Sequence, residues 1–179
     1  ILVDYRVKLR HNSKPEESVA DIADFLSYLT RNKEELNVDT ASIFLCGASA
    51  GAQLALSAVF SSSSHHVQPK ALILYSPVLN TYINGYAFDV LGPQRGLRLS
   101  PLHNMHQGMP PMIVFYGDYD EIIPPTEIEL FKARADSLGV SVQLVSFADS
   151  GHEYPNGARL AETLLISDEF IEGIINMKP

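Results

Sequence analysis

The chain of 179 residues predicts an α/β fold with a mostly parallel sheet flanked by helices, on three observations. Short apolar runs alternate with longer segments of helical periodicity from one end to the other, the pattern of strand–helix units. The run at 112–116 is apolar or aromatic throughout, and the one at 70–76 is so between its polar ends Lys70 and Ser76, as buried strands are. No internal repeat and no linker-like composition divides the chain, so residues 1–179 read as one domain.

The elements follow in order. Residues 1–7 read as a short buried strand. Ser13 with Glu16 three residues on, and Pro15 between them, predicts a helix start with Ser13 as N-cap. Val19, Ile22, Ala23, Leu26 and Leu29 then recur at helical spacing, and the helix ends near Asn32. A strand over 42–46 runs into Gly47-Ala48-Ser49-Ala50-Gly51, followed by a helix over 50–60 with almost no polar face. The apolar run 70–76 is closed by Pro77. Residues 80–110 are irregular and too long for a structureless loop, which predicts short helices and a pocket-shaping, cap-like insertion. A strand over 112–116, a helix opening at Pro124-Pro125 and ending before Gly139, a strand over 140–147 and a helix over 157–177 complete the chain.

Composition excludes several classes. A net charge of −8 with only 13 basic residues argues against a nucleic-acid or anionic-membrane surface, which needs clustered Lys and Arg. No apolar run approaches the ~20 residues of a membrane span. The single cysteine, Cys46, forms no internal disulfide, and its place in a strand predicts a buried, inert thiol. His65-His66, and His103 with His106, have metal-like proximity but no cysteine or carboxylate at ligand spacing, so no metal site is expected. The chain opens Ile1-Leu2-Val3 inside an apolar run. It reads as lacking its upstream part, where any targeting signal would lie.

The chemistry centres on Ser49. An apolar run, Gly-x-Ser-x-Gly and an apolar helix form the layout of a nucleophile elbow, a sharp turn that lifts a serine hydroxyl clear of the sheet. Gly47 and Gly51 are the positions where a Cβ is expected to clash. Such a motif arises by chance roughly 0.06 times in a chain of this composition, so its context must carry the argument. A serine needs a base and an orienting acid to act as nucleophile. Gly117-Asp118-Tyr119-Asp120 places carboxylates directly after one strand, and Gly151-His152 places a histidine directly after the next. Successive parallel strands deliver such loops to one sheet edge, so Ser49, an aspartate and His152 are expected to converge there.

With these residues the sequence resembles the esterase/lipase branch of the α/β-hydrolase superfamily, close to the small carboxylesterases and carbohydrate acetyl esterases. The likeness extends over Asp4-Tyr5-Arg6, Val38-Asp39, Tyr75-Ser76-Pro77, Pro110-Pro111, the loop Gly117 to Pro124 and Gly151-His152. The order Ser, Asp, His is that of the α/β-hydrolases. The resemblance implies a triad of Ser49, His152 and Asp120, with Asp118 as second choice for the acid. It also implies an oxyanion hole with the Ala50 N–H as one donor, the others lying upstream of Ile1. The fold it implies is an α/β-hydrolase domain without its N-terminal part, leaving a gap in the sheet between 1–7 and 42–46. The implied activity is hydrolysis of a small-molecule carboxylic ester of short acyl chain, such as acetyl, without metal or organic cofactor. A prolyl-oligopeptidase-like peptidase and a catalytically inert hydrolase-fold protein are the alternatives.

Overall fold

A computed structural model describes residues 1–60, 67–152 and 157–176. After the short helix α1 (Lys8–His11), α2 (Pro15–Arg31) leads to β1 (Phe44–Ala48) and α3 (Ala50–Phe60). Next come β2 (Ala71–Tyr75), α4 (Phe88–Leu99), α5 (Pro101–Asn104) and β3 (Met112–Gly117). The chain closes with α6 (Pro125–Ser137), β4 (Val142–Phe147) and α7 (Gly157–Asn176). The four strands pair in the order β1-β2-β3-β4, and every pairing is parallel.

Side chains on a strand alternate between faces, and here both faces are covered. Leu72, Leu74, Met112, Val114 and Val142 pack with Ala52, Leu56, Ile128 and Phe131 of α3 and α6. Ile73, Tyr75, Ile113, Phe115 and Phe147 face the other way, toward Ile166, Phe170 and Ile171 of α7. A third cluster joins Leu26 and Leu29 of α2 to Ala58 of α3. The buried run from Leu54 to Val59 accounts for the missing polar face of α3. Strands covered on both faces need no polar stripe, which is why β2 and β3 carry no polar residue that alternates along them. The segment 80–110 contains α4, kinked where Gly92 takes a φ of 71° ahead of Pro93, and α5.

Three local expectations are corrected. Residues 1–7 form no strand. A strand exists only with a partner for its backbone groups, and none lies beside this segment among the described residues. Side-chain bonds hold it to α2 instead: the Arg6 N–H and guanidinium donate to Asp21, and Ser18 donates to the Arg6 carbonyl. The N-cap of α2 is Lys14 rather than Ser13. Glu17, three residues on, accepts from the Lys14 N–H at 2.8 Å, while the buried Ser13 hydroxyl has no partner among the described residues. Cys46 is exposed rather than buried, because β1 is the edge strand. The protein around its sulfur still removes enough water to raise the thiol pKa, so the group stays protonated at neutral pH. Beside β1, toward Val3 and Tyr5, lies an apolar cavity of about 610 Å³. His65 and His66 lie outside the described residues. None of the described helices is long and apolar enough to cross a membrane.

Candidate active site

β1 ends at Ala48 and α3 begins at Ala50, so Ser49 alone makes the turn. It does so at a φ of 51°, a left-handed conformation that costs a residue with a Cβ. The surroundings hold it there. The Ser49 N–H donates to the Tyr75 carbonyl at 2.8 Å. Its own carbonyl accepts from Ala52, Gln53 and Val78 at 3.1, 3.2 and 3.3 Å. The strand and helix cross so closely that a Cβ on Gly47 would lie 2.5 Å from the Gly51 carbonyl carbon. The expected clash at Gly51 is absent, since a Cβ there would meet only the Tyr5 hydroxyl at 3.8 Å. The close approach is made by the Gly51 backbone, and its missing side chain points away from it.

Asp120 follows β3. One carboxylate oxygen accepts the N–H groups of Ile122 and Ile123 at 3.0 and 2.8 Å. The other lies 2.8 Å from Nδ1 of His152. The residue is 3% exposed, and two backbone donors plus the imidazole satisfy a carboxylate that burial would otherwise penalise. Asp118 is exposed, and among the described residues the hydrogen bond it makes is from its N–H to the Phe147 carbonyl at 3.1 Å. Of the two candidate acids, Asp120 therefore meets the histidine.

The loop after β4 delivers His152, with Asp149 at a φ of 60°. It lies against the acid loop: the Tyr119 N–H donates to the Ser150 carbonyl at 2.8 Å. Gly117 permits this approach, because a Cβ there would run into the carbonyl oxygens of Ser150 and Gly151. His152 Nε2 then lies 2.9 Å from the Ser49 hydroxyl. Nδ1 faces an acceptor-only carboxylate, so the pattern assigns the imidazole proton to Nδ1 and leaves Nε2 free to accept from serine. The arrangement is a hydroxyl, a base and an orienting carboxylate in series, able to transfer an acyl group.

His103 and His106 do not meet. His103 Nδ1 contacts the Ser100 hydroxyl at 2.8 Å, and His106 Nδ1 lies 2.8 Å from the Gln107 carbonyl. Burial lowers the His103 pKa. Ser100 is fully buried and also donates to the Leu79 carbonyl, so this second serine–histidine contact is internal packing. Among the described residues no group of three His, Cys, Asp or Glu side chains is placed to hold a metal. Sequence reasoning missed Glu127. An acidic residue in the first turn of a helix looks like an ordinary solvated dipole charge, and nothing in the local sequence signals that this one is buried.

A profile of a family described as having the α/β-hydrolase fold matches residues 1–89. The thermophilic esterase Est2 of the Planctomycetes species Thermogutta terrifontis, in its native form, is 31% identical with a TM-score of 0.85. The match covers 98% of this chain and 70% of that one. The chain belongs to the α/β-hydrolase family. It is a carboxylic ester hydrolase, an esterase of that fold. The butyrate-bound form of the same esterase is 31% identical, with a TM-score of 0.84, covering 98% of this chain and 72% of that one. The form phosphorylated by paraoxon is 32% identical, with a TM-score of 0.82, covering 98% and 70%. No curated protein matches the sequence.

Proposed function

We propose that this esterase cleaves short-acyl carboxylic esters through an acyl-enzyme on Ser49, with His152 as general base and Asp120 as its orienting acid. The observation that carries the reading is the continuous chain from the Ser49 hydroxyl through both imidazole nitrogens to Asp120, with contacts of 2.9 and 2.8 Å. Ser49 Oγ attacks the ester carbonyl carbon and its proton passes to His152 Nε2. Asp120, itself held by two N–H donors, stabilises the resulting imidazolium. The tetrahedral oxyanion forms at the N-terminal end of α3, where the Ala50 N–H supplies a donor. Collapse breaks the ester C–O bond as His152 protonates the departing alkoxide. Water, activated by the same imidazole, then releases the acid and restores the serine.

A short acyl group is supported by the butyrate-bound structure of the Thermogutta terrifontis esterase. The segment 80–110 is the cap-like wall of the acyl pocket. Its nearness to the elbow is supported by the bond from Gln53, in the first turn of α3, to the Leu99 carbonyl at 2.8 Å.

The test is turnover of p-nitrophenyl esters of increasing acyl length beside dipeptide amides. Acetate to butyrate esters should be cleaved fastest and the amides left intact. Ser49→Ala should lower kcat by roughly 10⁴–10⁶. Faster cleavage of the amides would reverse the substrate class, and unchanged turnover in Ser49→Ala would remove the nucleophile.

A further inference from the structure

Glu127 occupies the third position of α6 and is 9% exposed. A glutamate at this helix position ordinarily folds back onto the N-cap N–H. That is impossible here, because the N-cap is Pro124, which has no N–H. The carboxylate instead reaches across to the chain after β2, where one oxygen accepts the Leu79 and Asn80 N–H groups at 3.2 and 2.9 Å. Burial raises its pKa against the pull of those two donors, and the charge of Asp120 nearby raises it further. A buried carboxylate beside a second carboxylate is an expensive way to hold two backbone amides.

The amides it holds adjoin the nucleophile. Val78, immediately before Leu79, donates its N–H to the Ser49 carbonyl. On the other side, α6 starts two residues after Ile123, whose N–H holds Asp120 at 2.8 Å. The connections close into a ring. It runs from the Ser49 backbone through Val78 to Asn80, across Glu127 into α6, back to Asp120, and through His152 to the Ser49 hydroxyl. The pairing of β2 with β3 fixes the strands beneath this ring, and Glu127 adds a direct cross-link above them between the segment after β2 and α6.

We propose that Glu127 is a positioning residue for the ester hydrolysis: it fixes the distance between the Ser49 elbow and the Asp120 loop without touching substrate. The proposal rests on the triad reading above. What matters is an acceptor oxygen at the right reach, since both N–H groups go to one oxygen.

Glu127→Gln and Glu127→Asp separate reach from charge. Glutamine keeps an oxygen at the same reach and loses the charge, whereas aspartate keeps the charge and withdraws the oxygen by about one C–C bond, 1.5 Å. Turnover of p-nitrophenyl acetate is measured for both, at a temperature well below the lowest Tm, with Ser49→Ala alongside. Misplacement of this order costs up to about 10²-fold in rate. Glu127→Asp should therefore lose at least about ten-fold in kcat with KM within about two-fold, and Glu127→Gln should stay within about three-fold of the parent. Parent-like kcat in folded Glu127→Asp would overturn the proposal, as would a Glu127→Gln as slow as the aspartate variant. Failure of Glu127→Gln to fold would overturn the proposal, and so would failure of Glu127→Asp to fold, since the acceptor would then serve stability rather than the placement of the triad. If Ser49→Ala retained activity, the triad reading itself would fall; if Ser49→Ala is inactive and Glu127→Asp is not impaired, only the role of Glu127 falls.

Discussion

Three glycines near the catalytic rim differ in what they exclude, and substitution separates them. At Gly47 an added Cβ would lie 2.5 Å from the backbone of Gly51, and neither strand nor helix can yield without displacing Ser49. At Gly117 it would strike the carbonyl of Ser150 and push the His152 loop away from the acid loop. Gly51 lies in the first turn of α3, where an added Cβ makes an ordinary contact with the Tyr5 hydroxyl at 3.8 Å, so alanine there gains helix propensity of up to about 1 kcal/mol. Thermal melts and kcat values for the three alanine variants check this. Gly51→Ala should melt at or above the parent temperature with activity retained. Gly117→Ala should lose about 10²-fold in kcat, and Gly47→Ala should lose both fold stability and turnover. The sequence motif makes the two elbow glycines look equivalent; only the crossing geometry distinguishes them.

At the level of elements, α2 and α4 are joined by Glu16, whose carboxylate accepts from Arg95 at 2.7 Å and Arg98 at 3.0 Å. The hydrogen bond from Arg95 is the main cause that lowers the Glu16 pKa from 4.5 to about 2. A carboxyl whose folded pKa is depressed adds stability above its unfolded value and loses it as pH falls through the folded one. This contribution is therefore complete above about pH 4.5 and lost on acidification toward about pH 2. Because the pair is partly solvated, its size is at most about 1 kcal/mol. Urea titrations at pH 7 and pH 3 should show the parent's advantage over Glu16→Gln shrinking at the lower pH. In α6, Phe131 is fully buried between helix and sheet, and Phe131→Ala should cost about 3–5 kcal/mol by chemical denaturation. Of these helices, α2 was legible as apolar periodicity. The start of α2 was misplaced by one residue because Ser13-Lys14-Pro15-Glu16-Glu17 contains two overlapping capping patterns, and the choice between them depends on which backbone N–H the glutamate reaches.

Across the whole molecule, the legible part is whatever adjacent sequence determines. Strand–turn–helix at Ser49, apolar strands covered on both faces and loops after successive parallel strands together put Ser49, Asp120 and His152 on one rim. What depends on a distant partner was not legible. Residues 1–7 have the composition of a strand, but pairing makes a strand, and no neighbour pairs with them among the described residues. Cys46 has the setting of a buried thiol, but its exposure follows from the position of β1 at the sheet edge. Glu127 reads as a surface charge because its partners, Leu79 and Asn80, are 48 and 47 residues away.

The central claim is that Ser49 becomes covalently acylated because His152 takes its proton, and an alkyl fluorophosphonate interrogates that step alone. Peptide mapping by mass spectrometry after labelling should find a single adduct, on Ser49, with labelling abolished in folded His152→Ala. An adduct on another residue, or undiminished labelling without the imidazole, would contradict the account.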